Sequence, residues 1–435
     1  MNKTQLPKVL VIGISPWNKH EGTDTLQTIF SCWQRDKIAQ VYTRSGNPCS
    51  DVCDKFFKIS ENQLIKSVFK RNSVGEIVLN NTSNTTNNDF KKESKRYSRA
   101  HKRKSWTMSF LREFVWMFGK WKTRNLKQFV NDFNPDILFV PIYPTIYMCK
   151  LQEYIIKYAK KPYVCYLADD NYTFKSCGKN PLELLYRLLL RKHVRKLSKN
   201  STQMYTITQI EANETDALFG TNSVVLAKSI NFDSLEYISK KVSQPINIVY
   251  TGNLLIGRDK TIKYVADAIR KINIEGTKIV LHIYTHTPPR ERLLKKIVSD
   301  DVVYHGKIVK EQVEKVQKDA DILLFVESLT RKDRFKARMS FSTKLVDYFA
   351  SGKCIYAIGD KAIAPIIYLK ENDAAIISST KKDIFSKLLL LSNNPQLIQD
   401  YSEKSFNCGL INHNKRNIDK HFIESMISAS KGGNK

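Results

Sequence analysis

The stretch Ser340-Phe341-Ser342-Thr343-Lys344-Leu345-Val346-Asp347-Tyr348-Phe349-Ala350-Ser351-Gly352-Lys353 runs into Cys354-Ile355-Tyr356-Ala357-Ile358-Gly359, a short amphipathic helix followed by a continuous apolar strand. Ser342 and Thr343 are good N-cap residues for a helix reaching Ser351, and Gly352 suits its C-cap. Free amides at such an N-terminus, with Lys344 in the first turn, make a pocket for an anion, and a diphosphate matches it. Asp347 follows Lys344 by three positions, one turn deeper on the same face. A carboxylate there can accept both hydroxyls of a ribose whose phosphates sit on the cap. Leu345 and Phe349, four apart, form a separate stripe directed at the core. Taken alone, the same pattern describes a well-capped surface helix with a Lys–Asp pair.

Outward from this point the chain repeats one theme. Val9–Ile14, Ala39–Thr43, Ile137–Pro141, Tyr163–Ala168 and Gln203–Ile207 read as buried strands in the first half, and Ile246–Thr251, Lys278–Thr285, Ile322–Val326 and Cys354–Ile358 in the second. Continuous Val, Ile and Leu runs separated by helical patterns predict parallel sheets covered on both faces. The fold class is therefore α/β, with doubly wound, Rossmann-like domains. A fresh series begins at Pro245-Ile246-Asn247-Ile248-Val249-Tyr250. We expect a first domain over residues 1–228, a hinge over 229–244 and a second domain over 245–410.

The 435 residues are about three times the ~150 of an ordinary domain, in keeping with this division. Apolar residues at 42% and charged residues at 26% exclude wholesale disorder. Eight cysteines are too few for a disulfide scaffold and none falls in a Cys-x-x-Cys pair, so reduced thiols in a cytosolic setting are expected. Lys and Arg total 71 against 42 Asp and Glu, a net charge of +29 that attracts phosphates, nucleic acid or an anionic membrane face. The opening apolar run Val9–Ile14 is too short for a signal peptide and lacks a small-residue cleavage site. Ile137–Cys149, the longest apolar stretch elsewhere, carries two prolines and falls short of the ~20 residues that span a bilayer. The expectation is a soluble chain or one that lies on a membrane.

One insertion interrupts the first half. Asn80-Asn81-Thr82-Ser83-Asn84-Thr85-Thr86-Asn87-Asn88 is low-complexity polar sequence, expected as a mobile loop. Residues 91–104 then carry eight positive charges against one negative, and an aromatic-rich helical pattern with Trp106, Phe110, Phe114, Trp116 and Trp121 follows. A cationic block beside an aromatic amphipathic helix meets the requirements of an interfacial membrane segment. The same spacing equally fits a basic surface over a core helix. No recognised nucleic-acid module surrounds the patch, so no specific nucleic-acid partner is expected.

The stretch quoted first resembles the nucleotide-sugar motif of GT-B glycosyltransferases of the family 4 (group 1) type, which serve bacterial surface polysaccharide assembly. Val249-Tyr250-Thr251-Gly252-Asn253-Leu254 with Arg258 resembles the opening strand and glycine turn of that family's donor domain. Tyr304-His305-Gly306 and Ala320-Asp321-Ile322 match its later strands in order. The resemblance implies two Rossmann-like domains facing across a cleft, with a helix from about His413 to Ile427, within residues 411–435, crossing back to the first domain. It implies a nucleotide diphosphate sugar as donor, no cofactor and no metal, retention at the anomeric carbon, and a saccharide or lipid-linked acceptor. Localisation would be cytoplasmic, at the anionic inner face of the membrane, where residues 91–121 and the run Leu188–Lys199 suit a peripheral enzyme. Lys344 and Arg258 would neutralise the diphosphate and stabilise it as it leaves. Gly252 would admit the phosphates to the backbone. Ser342, with the amides of Thr343 and Lys344, would cap a phosphate, and Asp347 would hold the ribose where the family usually has Glu. Two positions depart from the pattern. Met339 stands where the family often has a Glu that contacts the sugar, and Glu327 is the nearest substitute. Arg258 replaces a Lys, which favours bidentate contact.

Signals in the first half are softer. The loop after the first strand holds His20, Gly22 and Thr23, and the resemblance places Gly22 and Thr23 near the donor phosphate. Asp169 and Asp170 end the strand Tyr163–Ala168, at the edge where α/β ligand sites lie. Either could orient or deprotonate the acceptor hydroxyl, with one of them capping the next helix instead. His20 competes for the same role, and His193, inside a basic run, reads as a surface residue. Two other functions compete: a nucleotide-sugar 2-epimerase on the same fold, and a non-catalytic basic module binding polyanions or membranes.

Overall fold

The structure, a computed structural model, describes residues 6–19, 25–44, 46–69, 74–80, 106–170, 172–178, 180–289 and 291–432. It divides into two compact units, Met1–Leu226 with Asp419–Lys435, and Ala227–Ile418. Residues 229–244 cluster with the second unit. Ser243 donates from its amide and hydroxyl to Asp321, and the chain bridges Ile230 to Asn414.

The first unit is built on strands β1 (Val9–Ile12), β2 (Ile38–Tyr42), β3 (Lys55–Lys58), β4 (Glu76–Leu79), β5 (Ile137–Pro141), β6 (Tyr163–Leu167), β7 (Gln203–Thr206) and β8 (Ser223–Val225). Their order is β4-β3-β2-β1-β5-β6-β7-β8, parallel throughout except for β4, which runs antiparallel to β3. β1, β2, β5 and β6 are buried at every position, the burial that continuous apolar runs require. The first strand stops at Ile12, short of Ile14, because the Ile14 carbonyl turns to accept from the amides of Thr43 and Arg44. Gln152 is fully buried and donates to the carbonyls of Ile12 and Pro141, tying together the carboxyl ends of β1 and β5. The helix Lys415–Ser430 closes the sheet: Phe422 packs on Phe30, Trp33, Phe139 and Tyr205, and Tyr205 bonds Ser425 at 2.6 Å.

The aromatic insertion resolves between its two readings position by position. Trp116 stacks on Tyr147 at 4.4 Å, and Trp121 donates its indole N–H to the Trp116 carbonyl. Both belong to the core, whereas Leu111, Phe114, Met117 and Phe118 remain exposed. Asn80 is anchored through Ser50, with its amide side chain bonding both the Ser50 amide and carbonyl. The rest of the polar run and the basic block at 91–104 lie outside the described residues. His193 is a correction: it is partly buried, with Nδ1 2.7 Å from Glu153. No described helix is long and apolar enough to cross a membrane.

The second unit carries β9 (Ile246–Thr251), β10 (Ile279–Tyr284), β11 (Val302–Gly306), β12 (Ile322–Val326), β13 (Cys354–Ile358) and β14 (Ile376–Ser378). All pairs are parallel, in the order β11-β10-β9-β12-β13-β14. The core lies between this sheet and the helices that follow its strands, with Ile248, Leu281, Leu324 and Tyr356 fully buried.

Candidate active site

The strand order of the second sheet reverses between β9 and β12. From β9 the chain builds β10 and β11 on one flank; from β12 it builds β13 and β14 on the other. Doubly wound sheets bind ligands beyond the carboxyl ends of strands at such a switch point. Those ends are Thr251 and Val326, and Gly252, Arg258, Glu327 and Lys344 gather beside them.

Lys344 lies in the first turn of the helix Thr343–Ser351. Its Nζ donates to the Thr251 carbonyl at 3.2 Å and stands 5.4 Å from the centre of the Tyr250 ring. Glycine at 252 is what permits this, because a Cβ there would overlap the ammonium. Burial, reinforced by the charge of Arg258, lowers the Lys344 pKa to about 8. Thr251 is braced in turn by Gln317, which donates to its hydroxyl at 2.9 Å, and by the Tyr348 hydroxyl at 3.1 Å. Ser342 takes the N-cap position with extended dihedrals, and its own side chain forms no capping bond. Gly352 ends the helix in the left-handed conformation, at φ 60°.

The sequence spacing allows Lys344 and Asp347 to pair, but the structure sends them to different partners. Asp347, partly exposed, accepts from Lys228 Nζ at 2.6 Å. Lys228 escaped the sequence reading because it lies 119 positions away in an irregular stretch with no pattern of its own.

Arg258 and Glu327 are each other's partners. The expectation gives Arg258 to the diphosphate and leaves Glu327 as a substitute sugar contact; the structure joins them to each other. Arg258 Nη2 lies 2.7 Å from Glu327 Oε1 and Nε 3.1 Å from Oε2. Nη1 reaches Asn253 Oδ1 at 2.9 Å, and Nε also donates to the Val326 carbonyl. The side chains are only 13% and 6% exposed, and charges so deep need a matched partner. Glu327 is thus no solvated loop residue. Met339 is fully buried, an apolar core residue where the resemblance has a sugar-binding carboxylate.

In the first unit, His20, Gly22 and Thr23 lie outside the described residues. Asp170 is buried and its carboxylate accepts from the amide and hydroxyl of Thr173, so it anchors the local turn. It does not cap the following helix, whose N-cap is Asn180. Asp169, exposed at the end of β6, is the one of the two carboxylates presented to solvent.

Residues 245–394 match the family described as group 1 glycosyl transferases. The chain carries a group 1 glycosyl transferase domain. Its fold is GT-B. Anabaena HepE in complex with UDP superposes with a TM-score of 0.62 at 9% identity, over 97% of this chain and 100% of that one. Sucrose-phosphate synthase from Thermosynechococcus elongatus gives 0.60 at 9% identity, over 98% and 99%. A glycosyltransferase from Rickettsia africae gives 0.57 at 10% identity, over 98% and 100%. No curated protein sequence matches significantly. The β9–β12 switch point, with Gly252, Arg258, Glu327, Lys344 and Asp347, falls inside the matched glycosyltransferase domain.

Proposed function

We propose that this glycosyltransferase moves a glycosyl unit from a nucleoside diphosphate sugar to an acceptor hydroxyl, with retention and without a metal. The observation that carries the reading is the fit between Lys344 and Gly252 at the switch point, inside the group 1 domain. Lys344 and the first-turn amides of its helix offer positive potential to a diphosphate, which stabilises the nucleotide as leaving group. Asp347 takes the ribose, displacing Lys228, and Arg258 supports the site while held by Glu327. We assign the acceptor hydroxyl to Asp169, the role for which His20 competes. We place the acceptor on a lipid carrier in surface polysaccharide assembly, at the anionic inner face of the bacterial membrane, because the chain is strongly basic. HepE is described in complex with UDP-glucose, which makes UDP the first nucleotide to try.

The test is a melting panel of UDP, GDP, ADP, CMP and their sugars in EDTA, on wild type and Asp347→Ala. Ligand at a hundredfold excess over Kd adds about 2.7 kcal/mol of stability, which a melting curve resolves. Stabilisation by one nucleoside diphosphate, lost in the variant, supports the reading. No response to any nucleotide overturns it. Release of a free epimerised sugar without acceptor would instead identify an epimerase.

A further inference from the structure

Two helices of the first unit turn large apolar side chains to solvent. Trp106–Phe118 and Pro181–Lys199 meet at Tyr186, whose ring contacts Phe110 edge-on at 5.5 Å and whose hydroxyl donates to Glu113 at 2.7 Å. Away from this seam, Leu111, Phe114, Met117 and Phe118 on the first helix are each 54–58% exposed. Leu111, Phe114 and Phe118 follow helical spacing on one face, and the rings of Phe114 and Phe118 touch at 4.4 Å. On the second helix, Tyr186, Leu190, Val194 and Leu197 face the core, while Leu182, Leu185, Leu188 and Leu189 are 43–55% exposed. Single exposed leucines are ordinary, but two such sets on adjoining helices form a patch that calls for a partner.

Charge identifies that partner. The stripe of Leu185 and Leu188 continues at the same spacing into Lys192, Arg195 and Lys199, all exposed. This helix holds six Lys and Arg against one Glu. Three nearby acids are engaged: Glu113 accepts from Tyr186 and the Ile146 amide, Glu153 from Lys196 beside His193, and Glu61 pairs with Arg112. A second copy of the chain would bring the same cations against this face and be repelled.

We propose that these two helices are the surface on which the protein lies on an anionic lipid bilayer. Phe114, Phe118, Leu185 and Leu188 enter the acyl boundary, and Lys192, Arg195 and Lys199 meet the lipid phosphates. The inference rests on the peripheral-membrane part of the proposed function and assigns it a place. It also moves the lipid contact away from Trp116 and Trp121, which the core retains.

Co-sedimentation with phosphatidylcholine vesicles, with and without phosphatidylglycerol, tests it. One variant carries Phe114→Ser, Phe118→Ser and Leu185→Ser; a second carries Lys192→Gln, Arg195→Gln and Lys199→Gln. Wild type should bind only the anionic vesicles. Each variant should need about tenfold more lipid for half-binding, with the salt dependence kept in the first and flattened in the second. Unchanged melting curves show that both still fold. If wild type binds and both variants bind equally well, this surface is wrong and the peripheral reading stands. If wild type binds no vesicles, both fall. A concentration-dependent dimer abolished by the Phe and Leu changes, without vesicle binding, assigns the face to a second copy and overturns the proposal.

Discussion

Lys344 and Gly252 occupy one another's space: the ammonium of the first lies where any side chain on the second would begin. Gly252→Ala must therefore push Lys344 off the Thr251 carbonyl while leaving the sheet intact. We expect UDP affinity to drop by about tenfold to a hundredfold, the worth of one charged hydrogen bond. Calorimetric titration measures the loss, and an unchanged affinity would show that Lys344 does not serve the nucleotide.

The same lysine predicts a pH profile. Its pKa of about 8 lies below the ordinary 10.5, so its charge is complete below pH 7 and is lost as pH rises through 8. Between pH 7 and pH 9, UDP affinity should fall by about tenfold, because only the charged form attracts the diphosphate. Lys344→Met should bind weakly at both pH values and show no slope. A flat profile in wild type would remove Lys344 from the binding step.

The Arg258–Glu327 pair can be tested as a unit. Glu327→Leu alone strands a buried guanidinium and should cost about 3–5 kcal/mol in chemical denaturation. The double change Glu327→Leu with Arg258→Met should recover most of that loss, since well-packed apolar residues replace buried ion pairs at little cost. Nucleotide binding separates the roles: if Arg258 supports the site, the double variant is stable but binds UDP poorly.

His413 supplies a stability prediction. Its ring lies between Phe341 and Phe349, at 5.5 and 5.4 Å, donating from Nδ1 to the Lys228 carbonyl and accepting at Nε2 from Tyr368. Burial lowers its pKa to about 4. The folded state thus resists protonation, and its contribution is complete above about pH 6.5 and lost as pH falls toward 4. Between pH 7 and pH 5, wild type should lose about 2 kcal/mol more unfolding free energy than His413→Gln. Equal losses would place the acid sensitivity elsewhere.

What the sequence disclosed follows from where each signal resides. β5, β9, β12 and β13 have the bounds read from their apolar runs, because central parallel strands are apolar on both faces. β4, with Glu76, Ile77 and Leu79 exposed, and the three-residue β8 and β14 are edge strands carried by apolar runs of only three or four residues. The helix carrying Lys344 and Asp347 was legible because caps are local. The partners of its neighbours were not: Arg258 finds Glu327 across 69 positions and Asp347 finds Lys228 across 119. Trp116 and Phe114 show the limit most directly, since two residues apart on one helix, one is core and the other surface. Helical spacing records faces, not what covers them.

The closing of the first sheet by Phe422 also sets the order in which the molecule can be completed. Residues 419–435 belong to the unit that the chain began, yet they are synthesised after every strand of the other unit. Until they emerge, Phe30, Phe139 and Tyr205 lack the ring that packs against them. At ordinary elongation rates the intervening unit takes roughly 10–40 s to make. During that interval the nascent chain holds an aromatic surface open to chaperones, so the unit translated first is the one finished last.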